Sequence, residues 1–168
     1  MKNNTQQPIY KRWYFWVCGF ILLSIVFMLS FYFYSGFQYK EAENNRKKWA
    51  DNLKTMEYHE VDYNYLFNNT KEYVHKNVLT AIKITDVERI SDGRVKADNE
   101  EHQGIAYDFD FVFDDVNEPM MYNSGDYVTI VGKVRGKDSS LGTVTLEQCH
   151  IVEVGKASID KMLELENK

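Results

Sequence analysis

Twenty-two consecutive residues, Trp13 to Tyr34, carry no charge, with Lys11-Arg12 against the front edge and the next charged side chain at Lys40. A bilayer core of ~30 Å takes about 20 apolar residues at helical rise, so this run is long enough to span. A signal peptide has a shorter apolar core, ~7–15 residues, and small residues at its cleavage site. Here Phe33-Tyr34-Ser35-Gly36 offers bulky rings instead. A lipoprotein would need Cys18 after a longer apolar stretch, yet most of the run follows it. The expectation is an uncleaved single-pass anchor. Trp13, Tyr14 and Trp16 at one end and Tyr32, Tyr34 and Tyr39 at the other suit the headgroup zone.

Positive charge favours the cytoplasmic side. Lys2, Lys11 and Arg12 precede the span, and Lys40, Arg46, Lys47 and Lys48 follow it. The pair abutting the helix and the short leading tail point to a cytoplasmic amino terminus. The carboxy-terminal module is then extracellular and the localisation the cell membrane, with the reversed topology as the alternative. The resulting layout is a tail (1–12), a transmembrane helix (13–34), a helical stem (35–57), a folded domain (58–156) and a carboxy-terminal helix (157–168).

Residues 1–56 hold eight Lys/Arg against three Asp/Glu, a net of +5, whereas residues 57–168 hold twelve against twenty-two, a net of −10. Phosphate neutralisation supplies most non-specific nucleic-acid affinity, so nucleic acid is not the expected partner of so acidic a module. The two cysteines, Cys18 in the apolar run and Cys149 in a strand-like segment, form neither a disulfide framework nor a metal-type spacing.

In the stem, Tyr39, Ala42, Arg46, Trp49, Leu53 and Met56 recur at spacings of three and four. That is a helix-pair seam, and a homodimer through the stem is one use of it. With only about two heptads, below the ~3–4 a coiled coil needs, a single helix laying its stripe on the module is preferred. Beyond it, Tyr107, Phe109, Phe111 and Phe113 alternate with more polar residues, as a half-buried strand does. Val128, Ile130, Gly132 and Val134 repeat the period, and so do Val144, Leu146, Cys149 and Ile151 with one slip that reads as a bulge. Val78 to Val87 and Gly93 to Ala97 complete five strands, flanked by a short helix and turn over Asp62 to Tyr73 and a terminal helix over Ser158 to Glu166. With a helix-like segment, Glu118 to Asn123, between the third and fourth strands, the pattern predicts an all-β module, an OB-like five-stranded Greek-key barrel. An SH3-like barrel is the main alternative.

The segment Val61-Asp-Tyr-Asn-Tyr-Leu-Phe-Asn-Asn-Thr-Lys-Glu-Tyr73, then Lys76-Asn-Val78, resembles the opening of bacterial exported OB-fold domains of the tRNA-anticodon-like family. Gly125-Asp-Tyr-Val-Thr-Ile-Val-Gly132 and Val144-Thr-Leu-Glu-Gln-Cys-His-Ile151 are similar to its fourth and fifth strands. In the turn before the first strand, where the family usually has Gly, this chain has His75. The resemblance implies a fold and tethering by an amino-terminal helix or lipid. It implies neither nucleic-acid binding nor catalytic residues.

Gly132-Lys-Val-Arg-Gly136-Lys137 lacks the spacing and the following Ser/Thr of a phosphate-binding loop. Cys149 and His150 are adjacent in a strand and so point to opposite faces. Cys149 is then a core residue and His150 an outward one. Asp108, Asp110, Asp114, Asp115 and Glu118 lack calcium-loop spacing, and Glu100, Glu101 and His102 read as a solvated loop. No cofactor or metal is expected.

The informative group is basic: Lys133, Arg135 and Lys137 share one face of the fourth strand and its exit, and Arg94 and Lys96 share a face of the second. With Arg89 they are the candidate ligand-binding residues, near the loops that OB-folds use; an ordinary solvated edge is the plain alternative. The predicted protein is a tethered binding module of the cell envelope, not an enzyme, engaging an envelope protein or an anionic envelope polymer. Its Lys-, Asn- and Tyr-rich, Pro-poor composition suits a low-GC Gram-positive bacterium. The alternative is a cytoplasmic-facing module binding single-stranded nucleic acid.

Overall fold

The computed structural model describes residues 9–88, 93–97, 108–115 and 117–168. The chain divides into two compact units, residues 1–41 and 42–168. The apolar run folds as expected, inside one 44-residue helix, Ile9–Asn52 (α1). It is the one helix among the described residues long and apolar enough to cross a membrane or act as a signal, and its apolar window is not buried at all. Phe20, Leu23, Phe27, Met28, Phe31 and Phe33 are each more than two-thirds exposed. A contiguous apolar surface of that kind calls for a non-aqueous partner.

The second unit is built on strands β1 (His59–Glu60), β2 (Asn77–Lys83), β3 (Asp86–Glu88), β4 (Arg94–Ala97), β5 (Phe109–Phe113), β6 (Tyr127–Lys137) and β7 (Val144–Val154). They form one mixed sheet in the order β1-β2-β6-β7-β5-β4-β3. The β1–β2 and β5–β7 pairs are parallel and the others antiparallel. Five strands were expected, so seven is a correction, with two physical reasons. His59–Glu60 is a short added edge, and the run expected as a single strand over Val78–Val87 is interrupted at Ile84–Thr85. There the Ile84 N–H donates to the Asp126 carbonyl at 2.8 Å and the neighbouring Thr85 N–H to the Lys96 carbonyl at 2.9 Å. Adjacent amides thus serve the lead-in to β6 and β4, strands that are third and sixth in the sheet order.

The helix and turn before β2 resolve into α2 (Tyr63–Asn68) and α3 (Thr70–Tyr73). Asp62 caps α2, its carboxylate accepting from the Tyr65 N–H at 3.0 Å, which satisfies one orphan amide of the first turn. The segment between β5 and β6 is a single 3-10 turn, Pro119–Met121. The terminal helix, α4, is Lys156–Glu166.

Two apolar clusters hold the sheet. The larger joins the alternating rings Phe109, Phe111 and Phe113 to Val95, Ala97, Val128, Ile130, Val134, Leu146, Cys149 and Ile151, with Leu66 of α2. The smaller lies on Leu79, Val131 and Val152, against which Trp49, Leu53, Met56 and Tyr58 pack. This is why β2 and the first half of β6 are buried residue after residue instead of alternating. The stem stripe is laid on the module itself, with Ala42 buried and Arg46 Nη1 donating to the Tyr122 hydroxyl at 2.7 Å.

β6 and β7 run with register shifts, one of them between Val131/His150 and Lys133/Glu147, which leaves one extra residue on β7. At that point a Cβ on Gly132 would stand 2.7 Å from Cys149 Sγ. Only glycine admits so close an approach of β6 to the thiol.

Candidate functional site

Of the six basic residues singled out above, the five that are described do not form one strip. Arg89 lies outside the described residues. Arg94 and Lys96 sit on β4 and Lys133, Arg135 and Lys137 on β6, with β5 and β7 between those strands in the sheet order. Arg94 Nη1 bonds Asp110 Oδ2 at 2.6 Å. The register sets Lys96 opposite Asp86 on one side and Asp110 on the other. The β4 pair is therefore interleaved with carboxylates and presents little net positive field.

On β6 the three cations have separate fates. Lys137 Nζ stands 3.3 Å above the Phe67 ring centroid and bonds the Phe67 carbonyl at 3.3 Å, so its charge is seated on α2. Arg135 Nη1 bonds Glu147 Oε1 at 2.8 Å, with both side chains well exposed. Such exposed pairs contribute only about 0–1 kcal/mol. Lys133 is exposed and has no ion pair among the described residues.

Lys133 and Arg135 share a basin of about 480 Å³ with His75, Val134, Glu147 and Gln148. His75 and Gln148 are not expected from the sequence pattern. Each has a left-handed backbone, φ 67° and 54°, a conformation that costs a non-glycine L-residue roughly 1–2 kcal/mol. His75 is held there by its N–H donating to the Val134 carbonyl at 2.8 Å. Gln148 sits at the β7 bulge, where an extra residue re-aims the strand. The one signal in the sequence was His75 standing at a turn position suited to Gly. The neighbouring loop after β6 is pinned: Asp138 Oδ1 accepts from the Ser140 N–H, the Ser140 hydroxyl and the Leu141 N–H. These bonds, the Ser140 hydroxyl first, hold the Asp138 carboxyl below its usual value.

A second hollow, about 430 Å³, runs between the end of α1, β6–β7 and α4. Its charges are largely spent on each other. Glu60 accepts from Lys161 Nζ at 2.8 Å and also from Lys168, and both lysines reach Glu164.

Cys149 and His150 do lie on opposite faces, but the expectation that His150 points outward is corrected. It is 9% exposed, covered by the Trp49 ring at 3.7 Å, with Nδ1 3.3 Å from Glu118 Oε2. Glu118 Oε1 also accepts the Ile151 N–H at 2.6 Å. The stem crosses β7 here, which no local pattern reveals. Burial pushes the Cys149 thiol well above its ordinary value, so at neutral pH it is an inert core group. Among the described residues no three His, Cys, Asp or Glu side chains gather as a metal site. The acidic stretch is divided instead, Asp110 to Arg94 and Glu118 to His150.

Against known proteins, no family model and no curated protein matches this chain. Among solved structures it is similar to a proposed nucleic acid-binding lipoprotein of Klebsiella pneumoniae subsp. pneumoniae, at 19% identity and a TM-score of 0.44, over 61% of this chain and 97% of that one. A likeness of that size leaves function to the residues described above.

Proposed function

We propose that the chain is a single-pass, membrane-tethered binding protein whose module faces outward and engages an envelope protein or an anionic envelope component. The observation that carries the reading is the apolar window of α1, long enough to cross a membrane and not buried at all. An OB-like barrel is the fold we read in the module. β2 and β3 are consecutive pieces of one run, and β2 pairs with β6 while β3 pairs with β4. A first strand bent at Ile84–Thr85 would close the sheet as OB barrels close. That reading, and the resemblance to tRNA-anticodon-like exported domains, agree with a binding role.

Binding is favoured over catalysis because, among the described residues, the adjacent pair Cys149 and His150 that the sequence offers as nucleophile and base is committed elsewhere. Cys149 is sealed under Gly132, and His150 is stacked and paired with Glu118. The basin beside the β6–β7 bulge presents the exposed donors Lys133 and Arg135. The test is protease shaving of intact cells carrying a carboxy-terminal tag, with lysed cells as control. Loss of the tag on intact cells supports an outward module. Protection until lysis contradicts it and turns the search to cytoplasmic partners, single-stranded nucleic acid first.

A further inference from the structure

We infer that the basin beside the β6–β7 bulge is a site for a phosphate group, held by Lys133, Arg135, His75 and Gln148. The inference deepens the binding role proposed above by naming its site and its ligand chemistry.

Seven described residues have a left-handed φ; five are glycine, and the two that are not, His75 and Gln148, both line this basin. Glycine adopts that conformation without steric cost, so a backbone requirement alone would be met by glycine here as at the other five positions. What the chain keeps at these two positions is a side chain. The two come from separate segments, the turn before β2 and the bulge of β7, and converge on the same hollow. Strained backbone that places side chains in a cleft is a mark of a site.

The chemistry of the lining selects the ligand. Lys133 brings three N–H donors, the Arg135 guanidinium five, the Gln148 amide two, and the His75 imidazole at least one. Glu147 is the one acid, and it occupies Arg135 through an exposed contact. A carboxylate ligand has two acceptor oxygens, and Glu147 already brings one of that kind to Arg135, Oε1, from a tethered position. A phosphate presents more, enough to reach Lys133, Gln148 and His75 while sharing the guanidinium. Among the described residues no Phe, Tyr or Trp ring lines the basin, so it lacks the broad stacking platforms on which bases are read. The phosphate is therefore that of an envelope polymer or a lipid headgroup.

The full-length chain in non-ionic detergent is titrated calorimetrically with a glycerol phosphate oligomer, with phosphatidylglycerol-doped micelles, and with an oligothymidylate carrying as many phosphates. Saturable binding of either of the first two supports the site and identifies its source. Lys133→Ala is expected to weaken it roughly tenfold, the effect of losing a charge-assisted contact. Gln148→Gly keeps the left-handed backbone and removes only the amide. It should leave the unfolding midpoint equal or higher and still weaken binding. Glu147→Gln, by freeing Arg135, should tighten it about two- to fivefold. The proposal is overturned by no binding at millimolar phosphate, by binding that ignores Lys133→Ala and Gln148→Gly, or by an oligothymidylate that binds as tightly as the oligomer. Because the titration does not depend on topology, binding with a tag protected from shaving would keep the site and remove the outward placement. A shaved tag without binding would remove the site alone.

Discussion

The indole of Trp49 lies flat on the imidazole of His150, ring centroids 3.7 Å apart and planes 12° from parallel. The contact fastens the last turns of α1 to β7, and Glu118 Oε2 meets the imidazole at its edge, 3.3 Å from Nδ1. Trp49→Ala removes a half-buried ring and uncovers His150, and should cost about 1–3 kcal/mol. Urea unfolding of the full chain in detergent reads the loss. An unchanged midpoint would mean the stem is not held there.

Gly132 and Cys149 are coupled by the 2.7 Å approach that any Cβ on Gly132 would make to the thiol. Gly132→Ala alone should cost about 1–3 kcal/mol through overpacking. Adding Cys149→Ala should recover part of it, giving a coupling of roughly 0.5–3 kcal/mol in the double-mutant cycle. Strictly additive losses would contradict the contact.

The Glu60 carboxyl is held below its ordinary value by bonds from Lys161 and Lys168. A depressed folded-state value stabilises above the unfolded-state value, about 4.3, and the gain is lost as pH falls through the folded one. At neutral pH, Glu60→Gln should therefore speed amide exchange in α4 relative to the unaltered chain. On acidification below that range the two should converge. Equal exchange at neutral pH would show that the ionic cluster does not hold the helix.

Burial raises the Cys149 thiol, so alkylation by iodoacetamide at pH 8 should spare it in the folded chain and reach it in urea. A Cys18→Ser background removes the other thiol. Rapid labelling without denaturant would place Cys149 outside the core.

The legible parts of this fold were those written in local period. The charge-free run Trp13–Tyr34 reads as a helix because nothing in it breaks one, and Phe109, Phe111 and Phe113 read as a strand because one face is core. The stem stripe was legible as well, since Arg46, Trp49 and Met56 recur at helical spacing and find the module. What stayed hidden depends on residues distant in sequence. The break at Ile84–Thr85 exists because two adjacent amides answer to Asp126 and Lys96. His150 looked outward because the covering Trp49 comes from the far side of the sequence. At the candidate site Lys133 and Arg135 were visible as a basic alternation, but Gln148 was not, since its left-handed backbone follows from a register shift with β6.

The tether is the claim on which the proposed envelope role depends, and the mass of the chain in carbonate-washed membranes tests it most directly. Alkaline carbonate strips peripheral proteins and leaves integral helices in the bilayer, so the account predicts the full-length chain in the pellet with Met1–Tyr34 intact. A shorter chain beginning after residue 34, released into the supernatant, would show the apolar run to be a cleaved signal and contradict the anchor.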